Sequence, residues 1–173
     1  MPVATTRAHA RLLARRALRE VIGGLLSLPA EQVALLDGPH GPVLLGAARE
    51  IGISLSYAGD WALIGLSEGR ALGVDIVKID CLPEIESLAR GYLPVAVCRG
   101  VLAAPPDRRD ACFAQGWAEM EASSKCLGLP LQEIDAEREQ ALQACALLPC
   151  AQLDGYRIAA AVRLPAGVGW PSG

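Results

Sequence analysis

A chain of 173 residues with a formal charge of −3, 52% hydrophobic and 20% charged, is long enough for one solid core or two small fused lobes. It is too apolar to stay disordered, and its slight acid excess exerts no general pull on nucleic acid. Any anionic ligand must therefore be met by a local basic patch.

Six cysteines with no Cys-x-x-Cys pair, and only two histidines, argue against a zinc site. They fit a reducing cytosol, where lone cysteines pack as small apolar residues. No apolar run is long enough to span a bilayer, and the N-terminus lacks the uncharged core of a secretory signal. With seven aromatics, the core must rest on Leu, Val, Ile and Ala.

Residues 6–28 show helical spacing of Leu and Ile. Arg7, Arg11, Arg15, Arg16 and Arg19 make this the most basic segment. Three readings stand: a solvated face, a transit-peptide mimic that merges into core sequence by Val33, or a patch for phosphate. Leu28 to Leu36 reads as a turn into a short strand, and Asp37 to Pro42 as a turn cluster. Ile51 to Leu66 reads as strand, tight turn, strand. The turn, Ser56-Tyr-Ala-Gly-Asp-Trp61, is small and polar and can offer N–H groups and a hydroxyl to an anion; the alternative is an ordinary hairpin turn.

Leu72 to Asp80 reads as a strand with an acid in its middle. Leu72, Val74 and Ile76 take one face, and Gly73, Asp75, Val77 and Ile79 the other. Asp75 is thus an anion among apolar neighbours, expensive to bury unless a cation or hydrogen bonds receive it. Cys81 to Leu102 reads as mainly helical, and Ala103 to Asp110 as a turn or loop. Phe113 to Gly128 reads as one helix stopped by Gly128 and Pro130. Glu121 and Lys125, four apart, lie on one face of it; alone, such a pair is a solvated ion pair worth about 0.3–0.5 kcal/mol. Gln132 to Ala146 has helix propensity without an apolar stripe, Gly155 to Leu164 reads as a closing strand, and Pro165 to Gly173 as a tail.

Gly73-Val-Asp-Ile76, followed about forty residues later by Trp117-x-x-x-Glu121-Ala-x-x-Lys125-x-x-Gly128, resembles the 4′-phosphopantetheinyl transferases. That family carries Gly-(Ile/Val/Thr)-Asp-Ile and then (Trp/Phe)-x-x-Lys-Glu-Ala-x-x-Lys-x-x-Gly. Leu18-Arg19-Glu-Val-Ile22 matches its first helix, and Leu55-Ser56-Tyr57 its Leu-Ser-His. The resemblance spans roughly residues 10–164 and is firm at the two main motifs.

It implies an α+β fold of the two-lobed, surfactin-synthetase-activating type. Residues 1–70 and 71–173 would form pseudo-twofold-related α/β lobes with coenzyme A between them, the first lobe supplying nucleotide contacts and the second the catalytic motifs. It implies transfer of the phosphopantetheine arm of coenzyme A to a serine of an acyl, peptidyl or polyketide carrier protein, releasing 3′,5′-ADP. The expected setting is fatty acid, polyketide or nonribosomal peptide biosynthesis, with a cytoplasmic monomer that needs neither membrane nor nucleic acid. Asp75 and Glu121 would hold Mg²⁺, which favours oxygen ligands and uses one or two protein carboxylates. Glu121 would act as base and Lys125 as a charge on the diphosphate, while Arg19, Ser56, Tyr57 and Lys125 would contact coenzyme A.

Three positions depart from the pattern. Val77 stands where larger members carry a second acid, Met120 where a lysine precedes the glutamate, and Tyr57 where a histidine touches phosphate. The alternative they raise is a homologue that has lost catalysis and binds coenzyme A or a carrier protein.

Overall fold

The computed structural model describes residues 7–38, 41–45, 51–151 and 153–165. The tail expected from Pro165 onward therefore falls almost wholly outside the described residues, as do Pro39 and His40 of the expected turn cluster.

The chain opens with helix α1 (Arg7–Leu26). Ala14, Leu18 and Ile22, spaced by four, form its buried face, as a 3.6-residue repeat requires. After a 3-10 turn come two antiparallel hairpins, β1 (Leu35–Gly38) with β2 (Gly41–Leu44), and β3 (Ile51–Ala58) with β4 (Trp61–Glu68). Asp37, expected in a turn, lies within β1. The β3–β4 connection is two residues, Gly59 and Asp60, so the longer turn expected from Ser56 to Trp61 is mostly strand. Ladder pairing carries through Ala58 and Trp61 and places Ser56 and Tyr57 inside β3.

Strand β5 (Leu72–Lys78) matches its sequence reading. The segment from Cys81 expected to be mainly helical forms two helices, α2 (Ile85–Tyr92) and α3 (Val95–Ala103). Pro94 separates them, since proline disfavours helix at the residue before it. The loop expected over Ala103 to Asp110 shrinks to a short link, because α4 (Pro106–Leu127) begins with proline in its first turn, where its missing N–H costs nothing. Gly128 ends α4 at φ 68°, a left-handed cap open to glycine without penalty. The ambiguous region resolves into α5 (Ala136–Leu142), capped by the Asp135 side chain, and β6 (Cys145–Leu148). Strand β7 (Tyr156–Arg163) lies between β5 and β6, antiparallel to both. The architecture is α+β: five helices and small antiparallel sheets among the described residues.

Among the described residues, three apolar clusters hold it. Leu18, Ile22, Val33, Leu35 and Leu44 pack with residues of β3 and β4. Ile85, Leu93, Phe113 and Met120 form a second cluster, in which Trp117 lies 5.5 Å from Tyr92 and 5.6 Å from Phe113, ring centre to ring centre. The third is a seam of small residues: Ala118, Ala122 and Cys126 of α4 against Ala159 and Ala161 of β7.

That seam lets α4 lie almost on the backbone of β5. A Cβ built on Gly73 would sit 1.8 Å from the Ala122 carbonyl oxygen and 2.5 Å from the Cys126 nitrogen. Both obstacles are backbone and cannot rotate away. Gly73→Ala is expected to cost about 3 kcal/mol or more through forced separation of α4 from β5. Urea denaturation followed by circular dichroism checks this; a midpoint equal to wild type refutes the close approach.

Candidate active site around Asp75

Asp75 sits mid-strand in β5, 6% exposed. Its partner across the ladder is Ala159, too small to cover it. The charge is received by two groups on the same oxygen. Ser56 of β3 donates its hydroxyl to Oδ1 at 2.6 Å, and Lys125 of α4 brings Nζ to Oδ1 at 2.6 Å. These are the short distances of charge-assisted hydrogen bonds. Lys125 Nζ also donates to the Val74 carbonyl at 3.2 Å.

The hydroxyls of β3 do a second task. Ser54 accepts the Val74 N–H at 3.0 Å and Ser56 accepts the Ile76 N–H at 3.2 Å. These N–H groups belong to the edge of β5 away from β7. Buried backbone donors need partners, and side-chain hydroxyls here stand where a neighbouring strand would otherwise supply carbonyls.

Glu121 projects from α4 one turn before Lys125 and is half-buried. Burial first, then the nearby negative charge of Asp75, push its pKa up from the ordinary 4.5; Lys125 and Arg138 pull it back in part. The two acids named from sequence thus come from separate elements and feel each other's charge. Among the described residues no group of three His, Cys, Asp or Glu side chains is placed to hold a metal. What exists is an oxygen-only pair, unsuited to zinc and suited in kind to a hard cation that keeps water and substrate oxygens as its other ligands.

The arginines of the basic helix have different neighbours. Arg19 directs Nε to the Val33 carbonyl at 3.4 Å. The arginines whose charge reaches Tyr57 are Arg11 and Arg15, one turn apart on α1. Tyr57 is half-buried on β3, and burial raises its pKa more than the two guanidinium groups lower it. Arg15 also pairs with Asp37. Beside this patch a cavity of about 350 Å³ opens between α1 and the β3–β4 turn, lined by Ala10, Leu13, Ala14 and Trp61 among others. A cavity of about 660 Å³ on another side of α4, lined by Val97, Arg108, Gln115 and Glu119 among others, includes neither site acid.

No protein-family model matches the chain. Two curated proteins do. One is the 4′-phosphopantetheinyl transferase psf-1 of Bacillus pumilus, 27% identical over 121 residues, which are 70% of this chain and 51% of psf-1. The other is the 4′-phosphopantetheinyl transferase HetI of Nostoc sp., 27% identical over 169 residues, 90% of this chain and 70% of HetI. The chain is similar to these two 4′-phosphopantetheinyl transferases. The likeness carried by two short motifs is found again along most of its length, although the chain spans only about half the length of the first relative.

Against that transferase background, sequence reasoning misses Arg11 as a neighbour of Tyr57 and Arg138 as a neighbour of Glu121. Arg11 is visible as part of the i, i+4 arginine series. Arg138 gives no signal, because it lies in a helix without an apolar stripe.

The electrostatics can be tested at two residues. Ser56→Ala removes a donor from a buried carboxylate and an acceptor from a buried N–H; a loss of about 2 kcal/mol is expected, read by chemical denaturation. Because Glu121 is a weaker acid in the folded chain, the native state retains a proton that the unfolded state has released. Its contribution to stability therefore falls as pH rises above 4.5 through the higher native value. The difference in denaturation midpoint between wild type and Glu121→Gln, measured across this interval, should move against wild type as pH rises. A pH-independent difference would refute the raised pKa.

Proposed function

We propose that this protein transfers the 4′-phosphopantetheine arm of coenzyme A to a serine of a carrier protein, with Mg²⁺ held by Asp75 and Glu121. The observation that carries the reading is the convergence of buried Asp75 with half-buried Glu121 and Lys125, from β5 and α4. The names of the two relatives support the same chemistry.

The donor set suits the ion. Two carboxylates, one of them weakened as an acid by burial first and by the other's charge second, are a pair whose repulsion a divalent cation would relieve, and both offer oxygen. When bound, Mg²⁺ neutralises diphosphate charge as the leaving oxygen gains it. Lys125 adds a compact positive charge at the same place. The nucleophile is the carrier's serine. Its oxygen forms the new bond to phosphorus while the bond to 3′,5′-ADP breaks, and Glu121 takes the hydroxyl proton. A carboxylate weakened as an acid by burial is better matched to that task than an ordinary one. Ser56 holds Asp75 in place, and Arg11, Arg15 and Tyr57 offer donors to the nucleotide phosphates, with Arg19 further along the same helix.

Two lobes, residues 1–70 and 71–173, fit the division of the core. One apolar cluster draws on residues between Leu18 and Leu66, while the other two draw on residues beyond Arg70. Each half also contains one long helix, of 20 and 22 residues. The Ser54 and Ser56 contacts to β5 join the halves where coenzyme A would lie. The protein would act as a monomer in the cytoplasm.

The test is a carrier protein mixed with coenzyme A, Mg²⁺ and catalytic amounts of this protein, read by intact mass. The expected result is a gain of one phosphopantetheine arm, lost on chelation of the metal and reduced at least about 10³-fold in Asp75→Asn and Glu121→Gln. Retained binding of coenzyme A without any mass gain, across acyl, peptidyl and polyketide carriers, would instead identify a homologue that has lost catalysis.

A further inference from the structure

Arg138 is 3% exposed, yet its guanidinium is poorly satisfied. Nη2 donates to Ser124 Oγ at 2.9 Å, while Nε and Nη1 are buried without a hydrogen-bond partner. Asp135 does not help, because its carboxylate takes the Arg138 backbone N–H. Arginine does not give up its proton, so this is a permanent buried charge, of a kind that is retained only where another charge answers it.

Among the described residues no carboxylate is in hydrogen-bond contact with its guanidinium, and Glu121 on α4 is a negative charge on which it acts. Ser124, from which the guanidinium hangs, is three residues after Glu121, and Lys125 is four after it. On a helix these positions fall on opposite flanks of Glu121. Lys125 therefore stands on one flank of Glu121, its Nζ on Asp75, and Arg138 is tied through Ser124 to the other flank. Ser124 fixes the second approach: its hydroxyl donates to the Met120 carbonyl at 2.8 Å and leaves the oxygen's lone pairs to Arg138. Arg138 is also among the charges that act on Glu121.

We propose that Arg138 is a positioning residue for Glu121: its buried guanidinium, hung from Ser124, attracts that carboxylate across space from the flank opposite Lys125. The inference rests on the reading of Glu121 as a site acid, and it makes α5 part of the site's support although its sequence carries no motif. It also places a positive charge on the flank of α4 occupied by Met120.

The test has one arm that needs no activity. At pH 8, urea midpoints are compared for wild type, Arg138→Met, Glu121→Gln and the double variant. If the two side chains are coupled, Glu121→Gln shifts the midpoint less favourably with Arg138 present than with Met in its place. Equal shifts in both backgrounds overturn the proposal. Should Arg138→Met not fold, Arg138→Gln serves in the same cycle. The second arm is carrier loading. Arg138→Met is expected to lower kcat at least tenfold with KM for coenzyme A within twofold of wild type, and Arg138→Lys to restore most of kcat. An unchanged kcat, or equal losses in the Met and Lys variants, refutes positioning. If wild type loads no carrier, the proposed transferase activity fails, and the denaturation cycle still decides whether Arg138 attracts Glu121.

Discussion

A carboxylate shut away from water must be given a counter-charge or surrender its own. Asp75 receives its counter-charge from one side and a hydroxyl from another, and the two donors come from different parts of the chain. Lys125 ties β5 to α4, and Ser56 ties β5 to β3. A single oxygen therefore joins three elements, β3, β5 and α4, beside the bonds that Ser54, Ser56 and Lys125 make to the β5 backbone. Hydrophobic packing alone is tolerant of small slides. A short ionic contact at 2.6 Å is not, so the register of α4 over β5 is set by Lys125 while its depth is set by Gly73 and the alanines.

That depth is what brings the second acid into play. With larger side chains in the seam, α4 would ride higher on the sheet and Glu121 would lie farther from Asp75. Instead the two carboxylates feel each other, which opposes folding when both are ionised. The arrangement is a local conflict within an otherwise consistent structure, and such conflicts concentrate at functional sites. The charges of Lys125 and Arg138 do not abolish the conflict, since the balance of burial, Asp75, Lys125 and Arg138 still leaves Glu121 a weaker acid than usual.

How far this can be read from sequence depends on range. Strand β5 and helix α4 are legible because alternation and a glycine stop are local signals, and the charge of Asp75 in an apolar strand by itself demands a partner. That Lys125 is the partner is not legible: four-residue spacing links it to Glu121, whereas its nearest carboxylate lies fifty positions back in the chain. The Pro94 break between α2 and α3 and the proline start of α4 are present in the sequence, but the longer helical and loop patterns around them dominate the reading. Ser56 reads as a turn residue because small polar residues usually make turns. In the fold its smallness serves a strand edge, where a hydroxyl can meet a backbone N–H and a carboxylate together.

The departures at Tyr57 and Met120 look different once charges are placed in space. Taken one position at a time, each is the loss of a cation. The fold puts Arg11 and Arg15 around Tyr57 and brings Arg138 to the Met120 flank of α4 through Ser124. A positive potential can be supplied from any element that reaches the spot, because the Coulomb term depends on distance and dielectric and not on order in the chain. Position-by-position comparison with distant relatives is therefore a poor guide to the charge of this site. What matters is the sum of the groups that face it, and that sum includes two arginines and a buried guanidinium that motif matching does not count.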